Sequence, residues 1–232
     1  MPPQVAQGTP AVGSQPAPVE GPPTADPPQP PPQPKRHPLP AKEKQQEIGQ
    51  QIDEVYKPAA RKTPAEKLKL AQDFLLQGQK ADGNLEERFV FLQRAMDLAC
   101  ETHDAVLVMA AVTSIGNDFE VDTLDAKVKM LTKVSRGADD EASIPSLVVA
   151  AGQVIDEALA ADQLEAAGTI ADLVSRACQA PAGRKFRKEV QQRRLKVQTA
   201  KTLGERFQQA RAALEKEPDN AEALLAVGRW HW

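Results

Sequence analysis

The stretch NLEERFVFLQRAMDLA, residues 84–99, decides the fold that this sequence predicts. Asn84 is a favourable helix-capping residue, and two glutamates follow it in the first turn, where the helix dipole favours negative charge. Apolar residues then recur in steps of four, three, four and three, at Leu85, Phe89, Leu92, Met96 and Ala99. This spacing places them on one side of a helix with about 3.6 residues per turn. The stretch therefore predicts an amphipathic helix with one face in a core.

The same pattern continues along most of the chain. Aromatic residues make up only 4% of the sequence, whereas the strong helix formers alanine, leucine, glutamate, glutamine and lysine dominate it. Capping residues and prolines predict further helices over about 42–56, 63–80, 104–115, 122–135, 143–160, 163–180 and 182–217, with a last one from Asn220. Short connections favour antiparallel neighbours, so we expect an all-α fold of stacked helical hairpins or an irregular bundle.

The N-terminal segment 1–41 differs from the rest. Fifteen of the twenty prolines lie at or before Pro40, among few aliphatic residues. Such a segment buries too little apolar surface to offset its ordering entropy, so we expect a disordered, proline-rich arm over 1–41 and a helical domain over 42–232. The arm fits a spacer, and its segment from Pro31 to Arg36 also fits a PxxP ligand with flanking positive charge.

An internal repeat is also indicated. When the sequence is aligned with itself so that Asp104 pairs with Asp162, two helical segments align with apolar residues at matching positions. The other aligned pairs are Val106 with Leu164, Val112 with Ile170, and Ile115 with Leu173.

The end of the chain resembles a tetratricopeptide repeat. Ala210, Ala213, Leu214 and Pro218 are similar to the end of a second repeat helix, and Leu224, Val227, Gly228 and His231 to the next first helix. This resemblance implies a tetratricopeptide-like α-solenoid whose last repeat, 219–232, is incomplete. An incomplete repeat presents an apolar side, so the candidate partner-binding residues are Leu224, Val227, Trp230 and Trp232.

A broader resemblance covers residues 46–230. It rests on the segments EVYKPAARKTPAEKLKLAQDFLLQGQ, RFVFLQRAMDLACETHDAVLV, NDFEVDTLDAKVKML and EPDNAEALLAVGRW. They resemble a helical module of large exported bacterial proteins, where the module lies between a signal peptide and a C-terminal lectin-like, carbohydrate-binding or hydrolase domain. The resemblance implies export, whereas the lack of a recognisable signal peptide before the arm implies the cytoplasm. Both compartments stay open.

The net charge of the chain is −3, but the charged residues are distributed unevenly along it. Residues 82–180 carry seven basic and eighteen acidic side chains, whereas residues 182–217 carry eleven basic and four acidic ones. We interpret this basic segment as a helix face that is solvated or that contacts the acidic part of the same chain. Nucleic-acid binding is the less favoured alternative, because the segment lacks exposed aromatic residues that could stack on bases. The candidate basic surface consists of Arg184, Lys185, Arg187, Lys188, Arg193, Arg194 and Lys196.

No reaction is indicated by the remaining polar residues. Cys100 and Cys178 lie in separate apolar stretches and are expected to be packed thiols, with a disulfide as the alternative. His37, His103 and His231 have no second histidine at helical spacing, which argues against a metal site. Phosphate-loop, dinucleotide and nucleophile-elbow motifs are absent from the sequence. We therefore expect no enzyme activity, cofactor or small-molecule substrate.

Two functions fit these observations. The favoured one is a noncatalytic helical-repeat scaffold that binds a protein partner, whose identity the sequence does not indicate. The alternative is the noncatalytic N-terminal part of a larger exported hydrolase or carbohydrate-binding protein. No transmembrane segment is expected in either.

Overall fold

The computed structural model describes residues 35–81 and 83–230, and the backbone alone at residues 229 and 230. Residues 1–34, most of the predicted arm, lie outside the described residues. Within the described ranges the fold is all-α, as predicted. The nine α-helices found there are α1 Lys42–Tyr56, α2 Pro64–Lys80, α3 Leu85–Glu101, α4 Ala105–Asp118, α5 Thr123–Ser135, α6 Ser143–Ala160, α7 Leu164–Ala177, α8 Arg187–Lys216 and α9 Ala221–Trp230.

Helix starts follow the capping residues that the sequence predicts. Thr63 and Glu66 form a reciprocal capping box at α2, with N···O distances of 3.2 and 3.1 Å. Asn84, Asp104 and Asp122 each accept a hydrogen bond from a backbone N–H in the first turn of α3, α4 and α5. These side chains satisfy donors that have no partner within the helix, which explains why the starts could be predicted locally.

The connection between α7 and α8 differs from the prediction. Helix α7 ends at Ala177 instead of about Ala180, and a 3-10 segment, Pro181–Phe186, precedes α8. Gly183 permits this tight connection, because a Cβ there would overlap the Cα of Cys178. Arg187 then donates hydrogen bonds to the carbonyl oxygens of Cys178 and Gln179, at 3.0 and 2.7 Å. The turn therefore ends α7 earlier than its composition indicates.

The helices stack in two layers. Each helix from α2 onward contacts the next one, which gives a series of antiparallel hairpins. Helices α1, α3, α5 and α7 also contact one another in sequence, and so do α2, α4, α6 and α8. Contacts between next-but-one helices are the arrangement expected of an α-solenoid, in which each hairpin packs on its neighbours.

One hydrophobic core runs through the stack. Phe74 on α2 and Leu92 on α3 are fully buried, and the N-terminal end is closed by edge-to-face contacts of Tyr56 with Phe74 and Phe91, at ring-centroid distances of 5.0 and 6.0 Å. Such aromatic pairs add directional packing to the area that they bury. They attach α1 to the stack.

Two hairpin turns have the same hydrogen bonds. In the turn between α3 and α4, the N–H groups of residues 102, 103 and 104 donate to the carbonyl oxygens of residues 98, 100 and 99. Between α6 and α7, residues 161, 162 and 163 donate in the same way to residues 157, 159 and 158. Asp104 therefore corresponds to Gln163 and not to Asp162, so the alignment predicted from the sequence is wrong by one position.

The segment before α1 lies against the α4–α5 connection. The N–H of His37 donates to the carbonyl oxygen of Asp118, and the N–H of Glu120 donates to that of His37, both at 2.8 Å. This pair of bonds forms an isolated parallel bridge between His37 and Phe119. The last residues of the predicted arm therefore contact the helical domain.

Candidate interaction surface

The basic part of α8 packs against acidic residues of α6 and α7. Arg193 and Lys196 both contact the carboxylate of Asp156 on α6, at 3.1 and 2.9 Å. Arg194 pairs with Asp172 and Lys201 with Glu165, both on α7, at 3.0 and 2.9 Å. The contact between the basic helix and the acidic part of the chain, expected from the sequence, is present at these four pairs.

Two glycines make room for these cations. A Cβ at Gly152 on α6 would lie 2.6 Å from the guanidinium carbon of Arg193, and a Cβ at Gly168 on α7 would lie 2.8 Å from the Nζ of Lys201. Each long side chain therefore lies directly over the backbone of the facing helix. A larger residue at either position would have to displace the cation from its acid.

The ion pairs alter the acidity of Asp156 but contribute modestly to stability. The hydrogen bond from Lys196 is the main cause that lowers the pKa of Asp156, and the charges of Lys196 and Arg193 act in the same direction. The side chain of Asp156 is 51% exposed, so solvent screens these pairs. Each pair at such a site contributes about 0.2–1 kcal/mol.

The other predicted basic residues have different roles. Arg187 binds the end of α7, as described above, and the ammonium of Lys185 lies 5.1 Å from the ring centroid of Phe186. Arg184 and Lys188 are exposed and form no ion pair with any described residue. The seven candidates therefore do not form one uniform basic surface.

Helix α9 presents apolar side chains on its outer side. It packs on α8 through Ala223, which is buried, and Val227, which is partly buried and lines a shallow cleft with Leu214. Leu224 and Leu225 are 52% and 57% exposed. Leu224 and Val227 are three residues apart in a continuous helix and so lie on neighbouring positions of one side, with Leu224 the more exposed of the two. The side chain of Trp230, and residues His231 and Trp232, lie outside the described residues.

The cysteines and the described histidines are packed within the fold or bound through their backbone. Cys100 and Cys178 are buried free thiols, as the favoured prediction states, and burial raises the pKa of Cys100 to about 11. The ring of His103 lies directly over Gly137, where a Cβ would overlap it. Among the described residues, no group of three histidine, cysteine or acidic side chains is placed to hold a metal ion.

Sequence reasoning missed two charged residues in the stack. Lys127 on α5 is buried and its Nζ lies 2.6 Å from Glu157 on α6. Asp97 on α3 is half-buried, and burial raises its pKa. For Lys127 a signal existed, because it occupies a core position in the series Leu124, Lys127, Leu131 and Val134, with steps of three, four and three.

By length and composition alone, one of the described helices could cross a membrane. This helix is α6, and more than half of it is buried inside the stack, as is usual for the core helix of a folded domain. It gives no clear transmembrane segment.

The comparisons with known proteins do not place the chain in a family. No family model matches the chain, and neither the curated proteins nor the solved structures include a significant match.

Proposed function

We propose that this chain is a noncatalytic helical scaffold that binds a protein partner. The observation that carries the proposal is the exposed pair of leucines on α9, the last described helix of the stack. Exposing the apolar surface of two adjacent leucines to water is unfavourable in free energy. A cluster of exposed apolar side chains is typical of sites that contact another protein. A packed helical face on the partner would bury them.

The stacked architecture supports this proposal. Each described helix from α2 onward packs on the next one and α1 packs on α3, so the array offers a long surface made of helix faces. The matching hydrogen bonds of the α3–α4 and α6–α7 turns support a repeated hairpin as the building unit, because the same turn appears twice with helices of similar length on both sides.

A capture experiment tests the proposal. Wild-type protein and a Leu224→Glu/Leu225→Glu variant would be immobilised, and retained proteins would be quantified by mass spectrometry. The matched control is Val55→Glu/Val149→Glu, which places the same two charges on exposed apolar positions of α1 and α6. We expect a partner retained by the wild type and the control and lost with the α9 variant. If no protein distinguishes the variants, the proposal is wrong.

The same exposed leucines also fit the alternative that the sequence suggests. In the noncatalytic part of a larger exported hydrolase or carbohydrate-binding protein, they would contact a neighbouring domain of the same chain. A longer reading frame at the gene locus, encoding such a domain after Trp232, would favour this alternative over a separate partner.

A further inference from the structure

The side of α8 that faces away from α6 and α7 carries a regular seam. Its residues follow one another in steps of four, three, four, three and four, and all six are exposed: Lys188, Gln192, Leu195, Thr199, Thr202 and Arg206. We call them the outer seam. Steps of three and four are the spacing with which one helix packs along another at a small crossing angle.

The outer seam is cationic at both ends and uncharged between them, with one apolar residue, Leu195, near its middle. Lys188 and Arg206 form no ion pair with any described residue, whereas the cations on the opposite side of α8 are paired at 2.9–3.1 Å. Leu195 is 62% exposed, and Leu203 beside the seam is 47% exposed. No acidic residue occupies the seam. The face therefore combines unpaired positive charge with exposed apolar surface.

From this geometry we infer that the outer seam is a second docking surface, which binds an acidic amphipathic helix of a partner protein. The inference rests on the proposed interaction function but concerns a surface separate from α9. Lys188 and Arg206 are separated by about 27 Å along the helix axis, at a rise of about 1.5 Å per residue. A partner helix of five turns spans that length. It would place carboxylates beside the two cations and leucine-like side chains on Leu195 and Leu203.

The charge pattern favours a protein helix over nucleic acid. A nucleic-acid surface requires several cations in a row to follow the phosphates, and aromatic rings for stacking on bases. The outer seam has cations only at its ends, and leucine, threonine and glutamine between them. It therefore offers a partner helix one carboxylate contact at each end and apolar contacts at Leu195 and the flanking Leu203, but no row of cations for phosphates.

Peptide probes test the inference on the full chain. The first probe is a helical peptide of about seven turns with leucines at heptad positions in its middle and glutamates near both ends. In the second probe serine replaces the leucines, and in the third lysine replaces the glutamates. Single- and double-stranded oligonucleotides of similar length serve as nucleic-acid probes. Binding is followed by fluorescence anisotropy at low and at physiological salt.

We expect only the first peptide to bind at physiological salt. Lys188→Glu/Arg206→Glu should weaken its binding about ten-fold or more, since each reversed charge repels a carboxylate. Leu195→Gln should weaken it as well, through lost apolar burial. The matched control, Lys69→Glu/Lys80→Glu, reverses two exposed, unpaired cations on α2 and should leave the affinity within about two-fold of wild type.

Several results would overturn the inference. They are equal binding of the serine peptide, equal binding by the Lys188→Glu/Arg206→Glu variant, no peptide binding at low salt, or binding of oligonucleotides alone. The Leu224→Glu/Leu225→Glu variant separates the two proposals, because it should bind the first peptide normally. Normal peptide binding without any α9-dependent partner would contradict the proposed use of α9 and leave the outer seam supported.

Discussion

Asp97 on α3 and Asp156 on α6 occupy equivalent positions in two matching hairpins, but of the two only Asp156 forms ion pairs with described residues. The charges of Lys133 and Arg94 also act on Asp97, but burial outweighs them. The two helices end in turns with the same hydrogen bonds, so the two carboxylates lie the same distance before those turns. Asp156 is bound by Lys196 and Arg193, whereas Asp97 forms no ion pair with any described residue. Their acidities differ accordingly: burial raises the pKa of Asp97, and the Lys196 hydrogen bond lowers that of Asp156.

Asp97→Asn should stabilise the protein at neutral pH. Because the folded-state pKa of Asp97 is raised above its unfolded value, the native state loses stability as the pH rises through the interval between the unfolded and folded pKa values. Removing the charge avoids this loss, and we expect the Tm at pH 7 to rise by roughly 1–3 °C. Thermal unfolding followed by circular dichroism measures the change. Below the unfolded pKa both forms are neutral, so the gain should vanish near pH 3, and a gain that persists there would contradict the cause given.

Asp156→Asn should have the opposite effect. The folded-state pKa of Asp156 is lowered, so its stabilising contribution is present above the unfolded pKa and disappears as the pH falls through the folded one. At pH 7 we expect a loss of about 0.2–1 kcal/mol for each of the two exposed ion pairs that are removed. Urea titrations at low and high salt measure it. A loss that is insensitive to salt would point to packing as the cause.

Lys127 and Glu157 should respond unequally to substitution. Glu157→Ala leaves the buried ammonium of Lys127 without its partner, so we expect a loss of about 1–3 kcal/mol in the free energy of unfolding. Lys127→Met retains most of the buried volume and leaves only a carboxylate that is 42% exposed and can be hydrated. Its loss should be smaller. Urea unfolding of both variants gives the comparison, and a larger loss for Lys127→Met would refute it.

Gly78→Ala should destabilise the contact between α2 and α3. A Cβ at Gly78 would lie 2.7 Å from the Cγ of the fully buried Leu92 and 3.2 Å from its backbone nitrogen. Because neither atom can move freely, we expect a loss of about 1–3 kcal/mol. The control is Gly228→Ala on α9, where an added Cβ meets no described residue within 4 Å beyond its chain neighbours and its own helix backbone, and helix propensity alone predicts a gain of up to about 1 kcal/mol. Equal effects of the two substitutions in urea unfolding would contradict the packing argument.

Both thiols should be unreactive in the native protein. Cys100 and Cys178 are buried, and burial raises both pKa values, so little reactive thiolate forms at neutral pH. An aromatic disulfide reagent should label two thiols in urea and fewer than about one in ten molecules in buffer within minutes. Rapid labelling of the folded protein would show that the helices carrying these cysteines open readily.

Local sequence signals predicted the helices well. The bounds of α1 and α5 agree with the prediction, and α2 begins at the predicted capping box, because hydrogen bonds within a few residues decide where a helix starts. The buried side of α8 was also predicted, since Val190 and Val197 lie at helical spacing and are buried. The contact of the basic segment with the acidic part of the chain was predicted as well, but the sequence did not show how unequally Leu224 and Val227 are exposed on α9.

The sequence by itself determined the helical content, the starts of α2 to α5 and the uneven distribution of charge, because each depends on residue composition or on neighbours within one or two turns. Only the tertiary structure decided that Asp156 forms two ion pairs, that Lys127 is buried beside Glu157, and that Asp104 corresponds to Gln163 in the matching turns. The physical reason is that these features depend on how far one helix slides and rotates against another. That register results from packing contacts between residues far apart in the chain, such as Gly152 with Arg193.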